Sequence, residues 1–211
     1  MLSNENIIKL ISLLENEYPG AVCSLEYDED YELLFSVRLS AQCTDERVNK
    51  VTPALFERYK TIEDFASADI EELSGYIRSC GLFRTKAKDI IECAKEIVSR
   101  HNGKVPGTME ELTALPGVGR KTANLVLGDA FKVPGCVVVD THCIRLSNRI
   151  GLLNEPTKDP LKIENQLRKI IPPDKSNDLC HRFVLHGRAV CSARAPKCEI
   201  CCLKDICEKN L

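Results

Sequence analysis

Apolar side chains recur three or four residues apart along nearly the whole chain, which is the spacing of one helix face. The predicted helices carry these apolar positions: Ile7, Leu10, Ile11 and Leu14 after a Ser3 cap; Leu33, Leu34, Val37 and Ala41; Val48, Val51 and Leu55; Ile70, Leu73 and Ile77; Ala87, Ile90, Ile91, Ala94, Ile97 and Val98, stopped by Gly103; and Ile163, Leu167, Ile170 and Ile171. A capped turn at Thr61 and Asp64 and a last helix over about 177–190 complete the set. Val137, Val138 and Val139 form the only β-branched run, so an all-α fold is predicted.

The segment 108–131 predicts two helices joined by a glycine turn. Thr108 and Glu111 have the spacing of a capping box, and the turn PGVG contains Gly117 and Gly119, both free to adopt positive φ. Such a helix-hairpin-helix exposes backbone N–H groups at a helix N-terminus, where they attract a phosphate. A plain αα-hairpin is the alternative. The longer string LPGVGRKTA favours DNA binding.

Composition and charge qualify this interpretation. The 211 residues are 44% hydrophobic and 28% charged, as in ordinary globular proteins. The N-terminus lacks the pattern of a signal peptide, so a cytoplasmic protein is expected. The net charge of -2 argues mildly against nucleic-acid binding. However, Arg182, Arg188, Arg194 and Lys197 dominate the charges of 179–200, which predicts a local basic surface.

Twelve cysteines fall into two groups. Eight are scattered and are predicted to be small buried hydrophobic residues in a reducing cytoplasm: Cys23, Cys43, Cys80, Cys93, Cys136, Cys143, Cys180 and Cys202. The other four, Cys191, Cys198, Cys201 and Cys207, have the spacing C-x6-C-x2-C-x5-C and can enclose a metal centre. Structural zinc is the competing interpretation, although zinc ribbons usually use two close cysteine pairs and this segment has one.

Several strings together resemble the endonuclease III family of DNA glycosylases over most of the chain. They are LLFSVRLSAQCTD, HNGKVPGTMEELTALPGVGRKTAN, VVVDTHCIRLSNR and the cysteine-rich end. The resemblance implies a bifunctional DNA N-glycosylase and abasic-site lyase of base excision repair. Its expected partner is double-stranded DNA with damaged bases, oxidised pyrimidines above all, or abasic sites. A nucleoid-associated monomer with no membrane contact is expected.

The resemblance also implies a catalytic pair. Lys121 matches the family's nucleophile, and a lysine attacks only as a neutral amine. The positive end of the helix dipole and burial against DNA favour that neutral form. A solvated surface lysine is the alternative. Asp140, in the string VDTH, matches the second catalytic residue; by itself it is most simply a helix N-cap, and both roles are compatible.

Further sites come from the same resemblance. The spacing of the four cysteines is that of the family's [4Fe-4S] cluster, with Cys202 outside the ligand set. Arg194 and Lys197 lie in the loop between the first two ligands and are expected to contact phosphate. Gln42 and Leu82 match residues that fill the gap left by a flipped base; their ordinary alternatives are a polar helix end and core packing after Gly81.

The expected architecture is two helical domains flanking a DNA-binding cleft. One runs from 22 to 134 and contains the hairpin, and the other joins 1–21 to 135–211. Three alternative functions remain: a monofunctional mismatch or alkylated-base glycosylase of the same fold, a non-catalytic DNA-binding protein with an iron–sulfur cluster, and an iron–sulfur electron carrier.

Overall fold

The computed structural model describes residues 1–211 and confirms an all-α fold, because no residue lies in a strand. The helices are α1 Asn4–Glu17, α2 Asp30–Leu39, α3 Asp45–Arg58, α4 Ile62–Ala66, α5 Ile70–Tyr76, α6 Phe83–His101, α7 Met109–Ala114, α8 Arg120–Asp129, α9 Thr141–Ile150, α10 Pro160–Ile170 and α11 Ser176–Ala189. Short 3₁₀ turns cover Arg78–Cys80, Pro173–Lys175 and Cys198–Ile200. None of the helices is both long and apolar enough to cross a membrane.

The chain divides into two compact units. The terminal unit joins Met1–Val22 to Val133–Leu211, and the central unit is Cys23–Lys132. The boundaries expected from the sequence stood at 22 and 134, within one or two residues of these positions.

The central unit is organised around α6, whose buried face packs against α2, α4 and α5. Aromatic rings add to this core: Phe35 and Phe65 pack edge to face, with ring centroids 4.8 Å apart. The hairpin helices α7 and α8 pack on each other, and α8 also packs on α2. The rigid core of this unit therefore supports the hairpin directly.

The terminal unit is held together by packing between the two ends of the chain. α1 packs on α11, and α9 packs on α10 and α11. The buried face of α1 consists of Ile7, Leu10, Ile11 and Leu14. The backbone N–H of Leu2 donates to the carbonyl of Gly151 at 2.8 Å. The N-terminal helix is thus part of the core formed by the C-terminal helices.

Local signals in the sequence account for most helix starts. Ser3 caps α1, and Thr61 and Asp64 form the reciprocal bonds of a capping box at α4. Two predictions were wrong. Ala41 lies outside α2, which ends at Leu39. Three of the cysteines predicted to be buried are only half-buried: Cys23, Cys43 and Cys202.

Candidate active site and cysteine loop

The predicted helix-hairpin-helix is present, with α7 and α8 joined by a short turn. Thr108 caps α7 by accepting a hydrogen bond from the Glu111 backbone. Gly117 has φ 72°, a left-handed conformation that favours glycine. Gly119 differs from the prediction: its φ is −96°, an extended conformation open to any residue. A Cβ added at Gly119 would meet no atom within 4 Å.

The start of α8 is open in a way that suits a bound anion. Its N-cap is Gly119, no side chain caps its N–H groups, and its first turn has no acidic residue. By comparison, α7 is capped by Thr108 and α9 by Asp140. The first N–H groups of a helix have no partner within it. No side chain caps those of α8, and the exposed side chain of Lys121 lies in the same first turn.

Asp140 lies where a buried extended segment meets a helix. Val137, Val138 and Val139 are buried, and the Val138 N–H donates to the sulfur of Cys180 at 3.3 Å. The Oδ1 of Asp140 then accepts from the Cys143 N–H at 2.7 Å and caps α9, which confirms the predicted N-cap. One carboxylate oxygen is thus fixed by the helix, and this bond sets the direction of the other. Asp140 belongs to the terminal unit and Lys121 to the central unit.

Gln42 and Leu82 share an uncommon backbone conformation. Gln42 has φ 55° and Leu82 has φ 46°, both in the left-handed region. Both side chains are exposed, Leu82 by 59%, so Leu82 is not a core residue. A left-handed non-glycine residue costs about 1–3 kcal/mol, and Asn102, Lys132 and Lys209 also adopt this conformation. Both side chains therefore lie on the surface of the central unit.

The four cysteines of the predicted ligand set line one pocket. Cys191, Cys198, Cys201 and Cys207 surround it, and Cys202 does not. Two of the sulfurs accept backbone hydrogen bonds: the Leu203 N–H donates to Cys201 and the Lys209 N–H to Cys207, both at 3.4 Å. Such donors stabilise negative charge on sulfur.

Two arginines of α9, which sequence reasoning missed, organise this loop. Arg149 lies 3.6 Å from the sulfur of Cys191 and donates to the carbonyls of Ser192 and Ala193 at 2.7 and 2.9 Å. Arg145 donates to the Cys191 carbonyl at 3.0 Å. Their spacing of four residues places both on one helix face. That spacing was readable from the sequence, although its target was not.

Buried His186 closes the same pocket. Its Nε2 lies 3.4 Å from the sulfur of Cys201, and its Nδ1 lies 3.1 Å from the Tyr18 hydroxyl. Burial lowers the pKa of His186. The side chain therefore links the cysteine loop to the end of α1.

The predicted basic surface is smaller than the sequence suggested. Arg194 and Lys197 are exposed in the cysteine loop, and the ammonium of Lys197 donates to the Ala189 carbonyl at 3.3 Å. Arg188 is also exposed. Arg182 is only 6% exposed and donates to the Tyr18 carbonyl, so it does not belong to this surface. The local sequence does not indicate that this arginine is buried.

Comparison with known proteins places this site in a family. Residues 35–173 match the family model described as HhH-GPD superfamily base excision DNA repair protein. Endonuclease III of Synechocystis is 50% identical over 200 residues, covering 94% of this chain and 90% of that protein. Endonuclease III of Escherichia coli K12 is 39% identical over 201 residues, covering 95% and 94%.

Solved structures give the same result. A structure of an endonuclease III–DNA covalent intermediate superimposes with a TM-score of 0.92 at 42% identity, covering 99% of this chain and 97% of that one. A non-covalent endonuclease III–DNA complex gives the same values.

The fold and the hairpin thus define a helix-hairpin-helix enzyme of base excision DNA repair. Within that class, the chain belongs to the endonuclease III family. Its activity is that of a DNA glycosylase and abasic-site lyase.

Proposed function

We propose that Lys121 is the amine that attacks damaged DNA. Its Nζ bonds to C1′ of the deoxyribose while the glycosidic bond breaks and the base leaves, taking a proton. The sugar ring then opens: the C1′–O4′ bond breaks, O4′ takes the remaining proton of the nitrogen, and a Schiff base forms. The imine makes the C2′ hydrogen acidic, and its loss as a proton breaks the C3′–O bond and releases the 3′ phosphate. Water then hydrolyses the imine and frees the lysine. The observation that carries this assignment is an exposed lysine in the first turn of a helix without a side-chain cap, next to the glycine turn of the hairpin.

Asp140 is the carboxylate that serves this reaction. A carboxylate stabilises positive charge that develops on the sugar as the base leaves, and it can accept the proton that Lys121 must lose to attack as a neutral amine. The cap on α9 uses Oδ1 only. Oδ2 is therefore the oxygen we assign to the chemistry.

DNA binding uses contacts of two kinds. The N–H groups around Gly119 and the side chains of Arg194 and Lys197 take phosphates, which gives affinity without sequence preference. Gln42 and Leu82 enter the DNA duplex where a base has been flipped out. Flipping costs a few kcal/mol of lost stacking, and side chains that fill the gap offset part of this cost. Their exposure and their left-handed backbone conformation support this role.

The four cysteines hold a [4Fe-4S] cluster. The chain's family and the single close pair, Cys198 and Cys201, favour this cluster over structural zinc, because zinc ribbons usually use two close cysteine pairs. The shared pocket and the hydrogen bonds to its sulfurs fit a set of cluster ligands.

The cluster would act by shaping the loop. When bound, it joins four points of 191–207 through iron–thiolate bonds, which fixes Arg194 and Lys197 for phosphate contact. Arg149 supports the same segment through its bonds to Ser192 and Ala193. We expect the protein to act as a monomer on chromosomal DNA in the cytoplasm.

Duplexes that each carry one damaged base test this proposal, if base release and strand cleavage are scored separately. Oxidised pyrimidines should be released, and the strand should be cut with the product of β-elimination. Base release without cleavage would favour a monofunctional glycosylase. Tight binding with neither reaction would favour a non-catalytic DNA-binding protein.

A further inference from the structure

Lys86 is a buried lysine that the proposed chemistry does not use. It lies on the inner face of α6 with 0% exposure. Its ammonium donates to the carbonyl oxygens of Leu39 at 2.7 Å and Cys80 at 2.8 Å. Desolvation lowers its pKa. Burial of an ammonium is costly unless strong acceptors compensate for lost water, so these two contacts determine where Lys86 can sit.

The two carbonyls belong to the segments that present Gln42 and Leu82. Leu39 is the last residue of α2, three before Gln42, and Cys80 ends a 3₁₀ turn two residues before Leu82. The final carbonyls of a helix have no partner within it. A single ammonium therefore ties together two segments that are far apart in the sequence.

Each segment enters the left-handed region within three residues of this tie. Gly81 has φ 67°, followed by Leu82 at 46°, and Gln42 has φ 55°. Left-handed non-glycine residues persist only when surrounding contacts hold them. The bonds from Lys86 are contacts of this kind, one at the root of each turn.

The next turn of α6 supports the hairpin in the same way. Asp89 pairs with Arg38 of α2, and both side chains lie against the hairpin turn. A Cβ added at Gly117 would meet Arg38 at 3.0 Å and Asp89 at 3.1 Å. Because Lys86 and Asp89 are three residues apart, they share a face of α6. One face of this helix thus supports all three DNA-contacting segments of the central unit.

We propose that Lys86 is a positioning residue that fixes the spacing of the Gln42 and Leu82 segments, so that both side chains can enter the duplex as the base leaves. This inference rests on the gap-filling role proposed above for Gln42 and Leu82. It predicts that removal of the ammonium harms base flipping more than it harms the chemistry at the sugar.

The test compares two substrates under single-turnover conditions with Lys86→Met. One is a duplex with an oxidised thymine, which must be flipped. The other is a single strand with an abasic site, where no base is flipped and no gap is filled. Since flipping costs a few kcal/mol and about 1.4 kcal/mol is tenfold in rate, base release should fall about tenfold. Cleavage of the single strand should stay within about twofold. Equal losses on both substrates, or an unchanged duplex rate, would overturn the role.

Ile97→Ala is the matched control, because Ile97 is also 0% exposed and lies on α6 three turns further along. It should lower stability without changing the ratio of the two rates. The same change of ratio in this control would overturn the role of Lys86. If Lys86→Met does not fold, Lys86→Gln is used; its amide keeps N–H donors, and a smaller shift of the ratio in the same direction is expected.

Leu82→Ala separates this inference from the function on which it rests. Alone, it should slow base release from the duplex, and in the Lys86→Met background its effect should be smaller, because coupled residues are not additive. Normal base release by Leu82→Ala would sink the gap-filling role itself. If Leu82→Ala slows base release and the effects of the two substitutions add fully in the double variant, only the role of Lys86 is contradicted.

Discussion

At the scale of single residues, Asp140 has two roles that substitution can separate. Asp140→Asn should keep the stability of the protein, because asparagine also caps helices. It should lose about 100-fold or more in base release, the range for a removed acid–base group. Thermal unfolding and single-turnover base release measure the two effects.

Asp140→Ala is the control for the cap. It should lose the same activity and also about 1 kcal/mol of stability, because the bond to the Cys143 N–H disappears. Near-normal turnover by Asp140→Asn would leave Asp140 with the capping role alone.

The two turn glycines should respond differently to alanine. Gly117→Ala should cost about 1–2 kcal/mol of unfolding free energy, because φ is 72° and Arg38 and Asp89 crowd the new Cβ. Gly119→Ala should cost less than about 1 kcal/mol, because its backbone is extended and its surroundings are open, although alanine is a poorer N-cap than glycine. It should still weaken binding to damaged and undamaged DNA alike if a phosphate approaches closely there. Chemical denaturation and binding titrations check this; a loss confined to one lesion would contradict the phosphate role.

The functional residues could be predicted from the sequence only where the signal is local. The cap at Asp140 was readable because it depends on four consecutive residues. The conformation of Gly119 was not, because GxG fits several turns. Lys86 was missed although it lies four residues before Ile90 on the apolar stripe of α6. A lysine at that position usually extends to solvent, and its two acceptors come from distant segments.

At the scale of elements, the cysteine loop should depend on four of its five cysteines. The purified protein should contain about four irons per chain. Cys201→Ser should lose the cluster, whereas the matched variant Cys202→Ser should keep it, because Cys202 does not line the pocket. Iron analysis and visible absorption measure this. Zinc in place of iron, or loss of iron in Cys202→Ser, would contradict the ligand assignment.

Loss of the cluster should also weaken DNA binding. Without iron–thiolate bonds the short loop has little apolar core to hold it, and Arg194 and Lys197 would lose their positions. Affinity should then fall, and its dependence on salt should become shallower because fewer phosphates are neutralised.

The helices themselves were largely readable from periodicity, and their ends less so. The stripe on α6 and the stop near Gly103 needed only apolar spacing and one glycine. The end of α2 at Leu39 was misplaced, because Ala41 continues the apolar pattern while the backbone has already turned toward Gln42. A tertiary contact that local sequence does not reveal, the bond from Lys86 to the Leu39 carbonyl, lies at that boundary.

At the scale of the whole molecule, the terminal unit should need its N-terminal helix. Leu10 has 0% exposure in the core shared by α1 and α11, so Leu10→Ala should cost about 2–5 kcal/mol of unfolding free energy. Ile8 on the same helix is 63% exposed, and Ile8→Ala should change stability by less than about 0.5 kcal/mol. Chemical denaturation compares the two. Equal effects would show that α1 does not pack as described.

Local sequence patterns could not predict that the two ends of the chain pack together in one unit. It depends on contacts such as that of Leu2 with Gly151 and Tyr18 with His186, which join positions more than a hundred residues apart. Periodicity reports which face of a helix is buried but not against which partner. The resemblance to a family supplied that part of the expectation.

The central claim is that Lys121 forms the covalent bond to DNA, and borohydride trapping tests it most directly. Reduction during reaction with an abasic duplex should give a stable adduct, and mass spectrometry should place the deoxyribose remnant on Lys121. Lys121→Gln should bind the same duplex but give no adduct and no strand cleavage. An adduct on another amine, or undiminished trapping by Lys121→Gln, would contradict the account.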